Sequence, residues 1–161
     1  MGSEKEKSYQ LLTKQLESLF DTERDMLANL SNFSAMLFNN LSEINWVGFY
    51  ILKDGQLVLG PFQGKPACVR IDIGKGVCGI CAQKKETIIV DDVCKFKGHI
   101  ACDSASRSEI VIAIMVNGKL FGVLDADSPV KNRFNETDKK YMERFVKLLI
   151  ERTDFRAVQS D

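Results

Sequence analysis

The sequence predicts an α+β fold with a central, mostly antiparallel sheet of about six strands, flanked by N- and C-terminal helices. Apolar residues recur at helical spacing near both ends of the chain, whereas β-branched and aromatic runs fill its middle. Turn signals such as Asn117-Gly118 join neighbouring runs into hairpins. Strands linked by hairpins favour an antiparallel sheet over alternating βαβ units.

The helices are predicted from apolar spacing and from signals at their ends. Two amphipathic helices open the chain, the second of them after Asp21-Thr22. A short helix follows Gly76 and ends near Lys85. The C-terminal helix follows Asn135, a predicted N-cap with Asp138 three residues later.

The strands are predicted from short runs of β-branched and aromatic residues bounded by turns. Asp54-Gly55 reverses the first hairpin. The predicted order of elements is α-α-β-β-β-α-β-β-β-α, with helices covering one or both faces of the sheet. The predicted strands are residues 46–52, 57–62, 68–73, 87–90, 109–116 and 119–126.

Composition narrows the class of protein. Lys+Arg 22 balances Asp+Glu 22, so the chain has no net positive field for nucleic acid. The longest apolar run, residues 110–116, is strand-sized, which predicts no membrane role. A charged stretch follows Met1-Gly2-Ser3 in place of a signal peptide, so we expect a cytoplasmic protein. No repeat or linker divides the chain, and we expect one domain over residues 1–161.

Five cysteines crowd into the middle third of the chain. They fit structural disulfides, a thiolate metal site or a redox-active thiol, and a reducing cytosol disfavours the first. The long segment 91–108 holds two of them and the only histidine without sustained periodicity, which is typical of a loop that closes a site. The cysteines are Cys68, Cys78, Cys81, Cys94 and Cys102.

Six ordered segments resemble one known family, the free methionine-(R)-sulfoxide reductases, which are built on a stand-alone GAF domain. They are INWVGFY at 44–50, GPFQGKPAC at 60–68, GKGVCG at 74–79, GHIACDS at 98–104, SEIV at 108–111 and GVLDADSP at 122–129. The resemblance implies a GAF-like domain and a cytosolic enzyme that reduces free L-methionine-(R)-sulfoxide, with a thioredoxin-type reductant and no cofactor or metal.

By this resemblance, Cys102 is the thiol that attacks the electrophilic sulfoxide sulfur and becomes a sulfenic acid as methionine departs. A second cysteine then forms a disulfide with it, and we favour Cys68. Cys78 relays the disulfide or serves as an alternate resolving thiol; the sequence leaves this open.

Three carboxylates stand at matching positions, Glu109, Asp125 and Asp127. Asp125 and Asp127 are two apart near the end of a predicted strand, and residues at this spacing on a strand share a face, which lets both enter one pocket with Glu109 from the neighbouring hairpin strand. Clustered carboxylates raise one another's pKa, and we nominate Glu109 and Asp127 to hold the proton for the sulfoxide oxygen. The same cluster would pair with the ammonium of a free amino acid. Locally, Asp125 and Asp127 also fit a pair that caps the following turn.

The remaining substrate contacts are expected from aromatic residues and from the loop. Trp46 and Tyr50 are candidates to enclose the methyl group, although such residues are commonly core aromatics. Backbone N–H groups around Ile100 and Ala101 could hold the substrate carboxylate. We expect His99 to be a structural hydrogen-bonding residue; the alternative is a charged imidazole that lowers the pKa of a nearby thiol.

Cys81 and Cys94 depart from the family pattern, and they leave two rival interpretations. A zinc-stabilised interaction protein would use Cys78, Cys81 and Cys94 with Cys102 or His99. A GAF-type small-molecule sensor without catalysis is the other rival, disfavoured because we expect no effector domain after the last helix. The terminal helices could pair into a homodimer or cover the sheet of a monomer.

Overall fold

Four α-helices and one sheet form the described part of the chain, residues 2–100 and 103–156 of a computed structural model. The first and last helices each begin at a capping box, in which Ser3 pairs with Glu6 and Asn135 with Asp138. The predicted cap at Asn135 is therefore present. None of these helices combines the length and apolar character that a membrane crossing requires. The helices are α1 Glu4–Leu19, α2 Met26–Asn40, α3 Gly76–Lys84 and α4 Glu136–Arg152.

Six strands pair antiparallel in one sheet, as the sequence predicts. They are β1 Trp46–Lys53, β2 Gln56–Gly64, β3 Arg70–Asp72, β4 Ile88–Val90, β5 Ser108–Val116 and β6 Lys119–Ser128. Their order across the sheet is β3-β2-β1-β6-β5-β4. β3 is shorter than predicted and leaves Cys68 in the segment before it, whereas β6 continues past its predicted end and includes Asp127. Within segment 91–108, a 3₁₀ turn forms at Val93–Lys95.

The sheet separates two apolar cores. Strand β1 shows why, because its side chains alternate between faces: Val47 and Phe49 join the core beneath α1, α2 and α4, whereas Trp46 and Tyr50 join the core beneath α3. The face covered by α1, α2 and α4 carries the larger core. The other face is covered by α3 and the segments before β3 and β5, and it holds the candidate site.

Close packing of α3 depends on glycine. A Cβ atom on Gly79 would lie 2.3 Å from the carbonyl oxygen of Asp72, so only glycine lets the helix approach the end of β3 this closely. This approach brings Cys78 over the sheet, where it is buried.

The helical face is held together by a buried ionic cluster centred on Asp138. Its carboxylate accepts hydrogen bonds from Lys5 Nζ at 2.5 Å, from Arg133 Nη1 at 2.8 Å and from the hydroxyl of Tyr9. Burial raises the pKa of Asp138, but the hydrogen bonds from Lys5, Tyr9 and Arg133 bring it below its ordinary value. The cluster ties α1 to the start of α4.

Candidate functional site

Sheet register brings the three predicted acids together. Asp127 in β6 lies opposite Trp46 in β1 and opposite Glu109 in β5. Asp125, two residues earlier, lies opposite Gly48. Because residues i and i+2 of a strand share a face, the three carboxyl groups project on the same side of the sheet.

These carboxyl groups line a cavity with about 530 Å³ of space between its walls, its open mouth included. The wall opposite the sheet comes from the start of α3 and from residues 66–67, 99–100, 103 and 106. Asp103 and Ser106 also line the cavity, although neither was predicted as a site residue. The residues that the sequence had singled out and that line it are Trp46, Tyr50, Cys78, His99, Ile100, Glu109, Asp125 and Asp127.

The pKa is raised for each of the three carboxyl groups that project from β5 and β6 into the cavity. Burial raises the pKa of Glu109 well above its ordinary value, and the charges of Asp125 and Asp127 raise it further. Burial likewise raises the pKa of Asp127, with a contribution from Asp125. The pKa of Asp125 is raised by burial to about 6, because interactions with Glu109 and Cys78 partly offset that effect. Of the three acids, Asp125 has the smallest rise in pKa and therefore carries a negative charge most readily.

One carboxylate oxygen in this cluster receives no hydrogen bond from the described residues. Asp125 is only 6% exposed, and its Oδ1 atom is buried without a hydrogen-bond partner among residues 2–100 and 103–156. A buried carboxylate oxygen without a donor is costly, so the site has an unmet need for a donor or a positive charge.

Two further titratable side chains adjoin Glu109. Cys78 Sγ lies 3.9 Å from Glu109 Oε1, and burial together with the charges of Asp125 and Glu109 raises the pKa of this thiol well above its ordinary value. His99 Nε2 lies 3.8 Å from Glu109 Oε2, and burial lowers the pKa of the imidazole. A neutral imidazole does not lower a thiol pKa, which argues against the charged-His99 alternative.

A metal could be held by one group of the described side chains. Ligand atoms of Cys78, Glu109 and Asp125 lie within 4.8 Å of one another. This group differs from the predicted zinc set, because Cys81 and Cys94 lie elsewhere. The thiol of Cys81 is buried against the carbonyl oxygen of Glu86, at 3.0 Å, and Cys94 is exposed.

The predicted aromatic pair lines the cavity and also holds the chain above it. The Trp46 ring stacks on Phe62 with centroids 5.3 Å apart, and its Nε1 donates to the carbonyl oxygen of Lys65 at 3.1 Å. The hydroxyl of Tyr50 donates to the carbonyl oxygen of Cys68 at 2.9 Å. Trp46 and Tyr50 are therefore core residues on one side and cavity walls on the other.

The cysteines differ in oxidation state. Cys68 is disulfide-bonded, whereas Cys78, Cys81 and Cys94 are free thiols. Ala101 and Cys102, both predicted site residues, lie outside the described residues.

A hydrogen bond that sequence reasoning missed links the start of β1 to the chain beside Cys102. Asn45 Nδ2 donates to Asp103 Oδ2 at 3.1 Å and to Ser106 Oγ at 3.2 Å. Asn45 and Asp103 are far apart in sequence, and no local pattern signals their contact.

The GAF domain family model matches residues 6–150 of the chain. Free methionine-R-sulfoxide reductase of Escherichia coli (strain K12) is 48% identical over 138 residues, covering 86% of this chain and 84% of that protein. Protein YtsP of Bacillus subtilis (strain 168) is 58% identical over 150 residues, 92% of each chain. The X-ray structure of free methionine-R-sulfoxide reductase from Neisseria meningitidis in complex with its substrate is 44% identical, has a TM-score of 0.90, and covers 94% of this chain and 92% of that one.

Proposed function

Because the chain belongs to the GAF-domain family and, within it, to the free methionine-(R)-sulfoxide reductases, we propose that it reduces free L-methionine-(R)-sulfoxide to L-methionine. It would act as an oxidoreductase on a sulfur group. The Escherichia coli relative carries this activity by name, and the acids of the cavity supply an independent physical reason for it.

The observation that carries the proposal is the buried oxygen of Asp125, which has no hydrogen-bond partner among the described residues and lies with Glu109 and Asp127 in the lining of the cavity. The ammonium of a free amino acid supplies the donor and the positive charge that this oxygen lacks. A methionine sulfoxide within a polypeptide offers a neutral amide at the same place. Binding would then leave the charge of Asp125 buried and unpaired, which favours the free substrate.

Glu109 and Asp127 provide the protons that the reaction needs. The Cys102 thiol attacks the sulfoxide sulfur while a protonated carboxyl group donates to the sulfoxide oxygen. The oxygen passes to Cys102 as a sulfenic acid, the carbon–sulfur bonds of the substrate stay intact, and methionine leaves with its sulfur reduced. The raised pKa values of Glu109 and Asp127 support their role as proton donors.

The rest of the substrate meets the aromatic wall and the loop. Trp46 and Tyr50 would enclose the methyl group, consistent with their place in the cavity lining. Backbone N–H groups around Ile100 and Ala101 would hold the substrate carboxylate, and Ile100 lies on the lining.

Cys68 is the resolving thiol in this proposal. Its thiol displaces water from the Cys102 sulfenic acid to form a disulfide, which a thioredoxin-type dithiol in the cytoplasm then reduces. The disulfide at Cys68 supports this choice, and so does the raised pKa of Cys78, which keeps that thiol protonated and poorly nucleophilic. A homodimer formed through the terminal helices stays a prediction, as does a single domain over residues 1–161.

Turnover of defined sulfoxides tests the proposal. Reduced protein with dithiothreitol should consume free L-methionine-(R)-sulfoxide and leave both the S epimer and a peptide sulfoxide largely unreacted. Cys102→Ser should abolish methionine release, whereas Cys94→Ser, which alters an exposed thiol, should not. Normal single-turnover methionine release by Cys102→Ser would refute the nucleophile assignment. Tight binding of the sulfoxide without turnover by the unaltered protein would favour the sensor interpretation.

A further inference from the structure

Asn45 joins the two parts of the candidate site that sequence separates. Its backbone N–H donates to the carbonyl oxygen of Asp127 at 3.0 Å, on the strand that carries two of the acids. Its side-chain amide donates to the Asp103 carboxylate at 3.1 Å. Asp103 is the residue next to Cys102 in the chain, so a single residue connects the acidic strand with the nucleophile segment.

The orientation of the Asn45 amide follows from its partner. An ionised carboxylate only accepts hydrogen bonds, so the NH₂ end of the amide must face Asp103. The amide oxygen then points away, and it is buried without a partner among the described residues. An unpaired buried acceptor lowers the stability of the fold. A contribution to stability alone therefore does not explain why an asparagine occupies position 45.

Asp103 is held at both carboxylate oxygens. Oδ2 accepts from Asn45, and Oδ1 accepts from the backbone N–H of Ala105 at 2.8 Å, which closes a tight turn. Ser106 completes the turn, because its N–H donates to the carbonyl oxygen of Asp103 and its Oγ accepts from Asn45. The turn is therefore fixed within itself, and Asn45 is its side-chain link to the start of β1.

We propose that Asn45 is a positioning residue, which holds Asp103 so that the neighbouring Cys102 thiol meets the substrate beside Glu109 and Asp127. The inference rests on the proposed function. Consecutive Cα atoms are only about 3.8 Å apart, so anchoring Asp103 restricts Cys102 directly. Asn45 itself touches no reacting atom in this role.

The test breaks the hydrogen bond from either side and then restores it in reverse. Asn45→Ala and Asp103→Ala each remove the link, and Asn45→Asp replaces it with repulsion between two carboxylates. In the double variant Asn45→Asp/Asp103→Asn, the new amide at 103 donates to the new carboxylate at 45. We expect kcat to fall roughly tenfold to a hundredfold in the three broken variants, with KM changed less, and to recover in the double variant.

Asn39→Ala is the matched control, because this exposed asparagine makes only a hydrogen bond to its own helix. Folding is checked by thermal unfolding of each variant. A second measurement needs no methionine sulfoxide: the rate of Cys102 alkylation by iodoacetamide is measured as a function of pH, by mass spectrometry of the Cys102 peptide. The broken variants should differ from the unaltered protein in this rate and its pH profile, and the double variant should not.

The outcomes separate this inference from the proposed function. If the unaltered protein fails to reduce the free sulfoxide, the proposed function fails, and alkylation still measures whether Asn45 controls Cys102. If folded Asn45→Ala and Asn45→Asp keep normal turnover and alkylation, Asn45 has no positioning role. A double variant as impaired as Asn45→Asp would overturn the proposed pairing with Asp103.

Discussion

Replacing Asp125 with asparagine tests whether the acidic cavity selects a free amino acid. Asp125→Asn keeps the size of the side chain and removes its charge. The buried oxygen at this position has no described hydrogen-bond partner, so the substitution breaks no hydrogen bond at that atom. The loss should therefore fall on the ammonium of the substrate.

The magnitude follows from burial. Two opposite unit charges about 4 Å apart attract by roughly 4 kcal/mol at an effective dielectric constant near 20. Desolvation of the ammonium offsets part of this, and hydrogen bonds to charged groups contribute about 1.5–3 kcal/mol net. At about 1.4 kcal/mol per tenfold change, kcat/KM for the free sulfoxide should fall roughly tenfold to 150-fold.

The assay compares two substrates. N-acetyl-methionine-(R)-sulfoxide lacks the ammonium, so its already low kcat/KM should change little in Asp125→Asn, and the preference for the free substrate should shrink. Asp21→Asn provides the same substitution at an exposed position and should alter neither value. An equal loss for both substrates, or no loss for the free one, would refute the ion-pair reasoning.

The pH profile gives a second readout of the same variant. The charge of Asp125 adds to the effect of burial in raising the pKa of Glu109. Without that charge the pKa of Glu109 is lower, so the protonated donor is lost at a lower pH. The alkaline limb of kcat/KM should therefore move to lower pH if Glu109 is the donor.

Two more predictions concern the supports of the site. Tyr50→Phe removes the hydrogen bond to the Cys68 carbonyl while keeping the ring. Disulfide formation should slow by about two- to tenfold, whereas the first release of methionine should stay near normal. Trapping with dimedone should show whether the sulfenic acid accumulates. Asp138→Asn leaves Lys5 and the buried Arg133 without their counter-ion and should destabilise the protein by about 3–5 kcal/mol in urea unfolding at pH 7. Because the folded-state pKa of Asp138 is lowered, its stabilisation is present at neutral pH and lost as pH falls below about 4; an equal deficit at pH 7 and pH 2 would contradict the ionic origin.

Local pattern predicted the parts of the fold that local interactions determine. The Asn135 cap and the hairpin at Asn117-Gly118 depend on a few consecutive residues, and both are present. The alternation of strand side chains likewise predicted that Asp125 and Asp127 share a face. The hairpin also predicted that Glu109, on the neighbouring strand, shares their pocket. Its register opposite Asp127 was not predicted, because an irregularity between Ile114 and Met115 shifts the pairing along the hairpin.

Long-range polar contacts were beyond the reach of the sequence. Nothing near Asn45 signals a bond to Asp103, and the aromatic pattern of β1 gives no reason for Tyr50 to hold the carbonyl of Cys68. Strand β3 is shorter than its apolar pattern predicted. Cys68 therefore lies in the connecting segment, which packs over the cavity instead of continuing the sheet.

The two faces of the sheet divide stability from chemistry. Burying three carboxyl groups costs free energy wherever they lack partners, and such groups are tolerated only if packing elsewhere offsets the cost. The larger core beneath α1, α2 and α4 supplies that packing, and the Asp138 cluster fixes its helices. Substitutions on the two faces should consequently have different effects. Asp138→Asn should lower stability with little effect on substrate preference at temperatures where the variant stays folded. Asp125→Asn should change substrate preference without an equal loss of stability, since it relieves repulsion among buried acids.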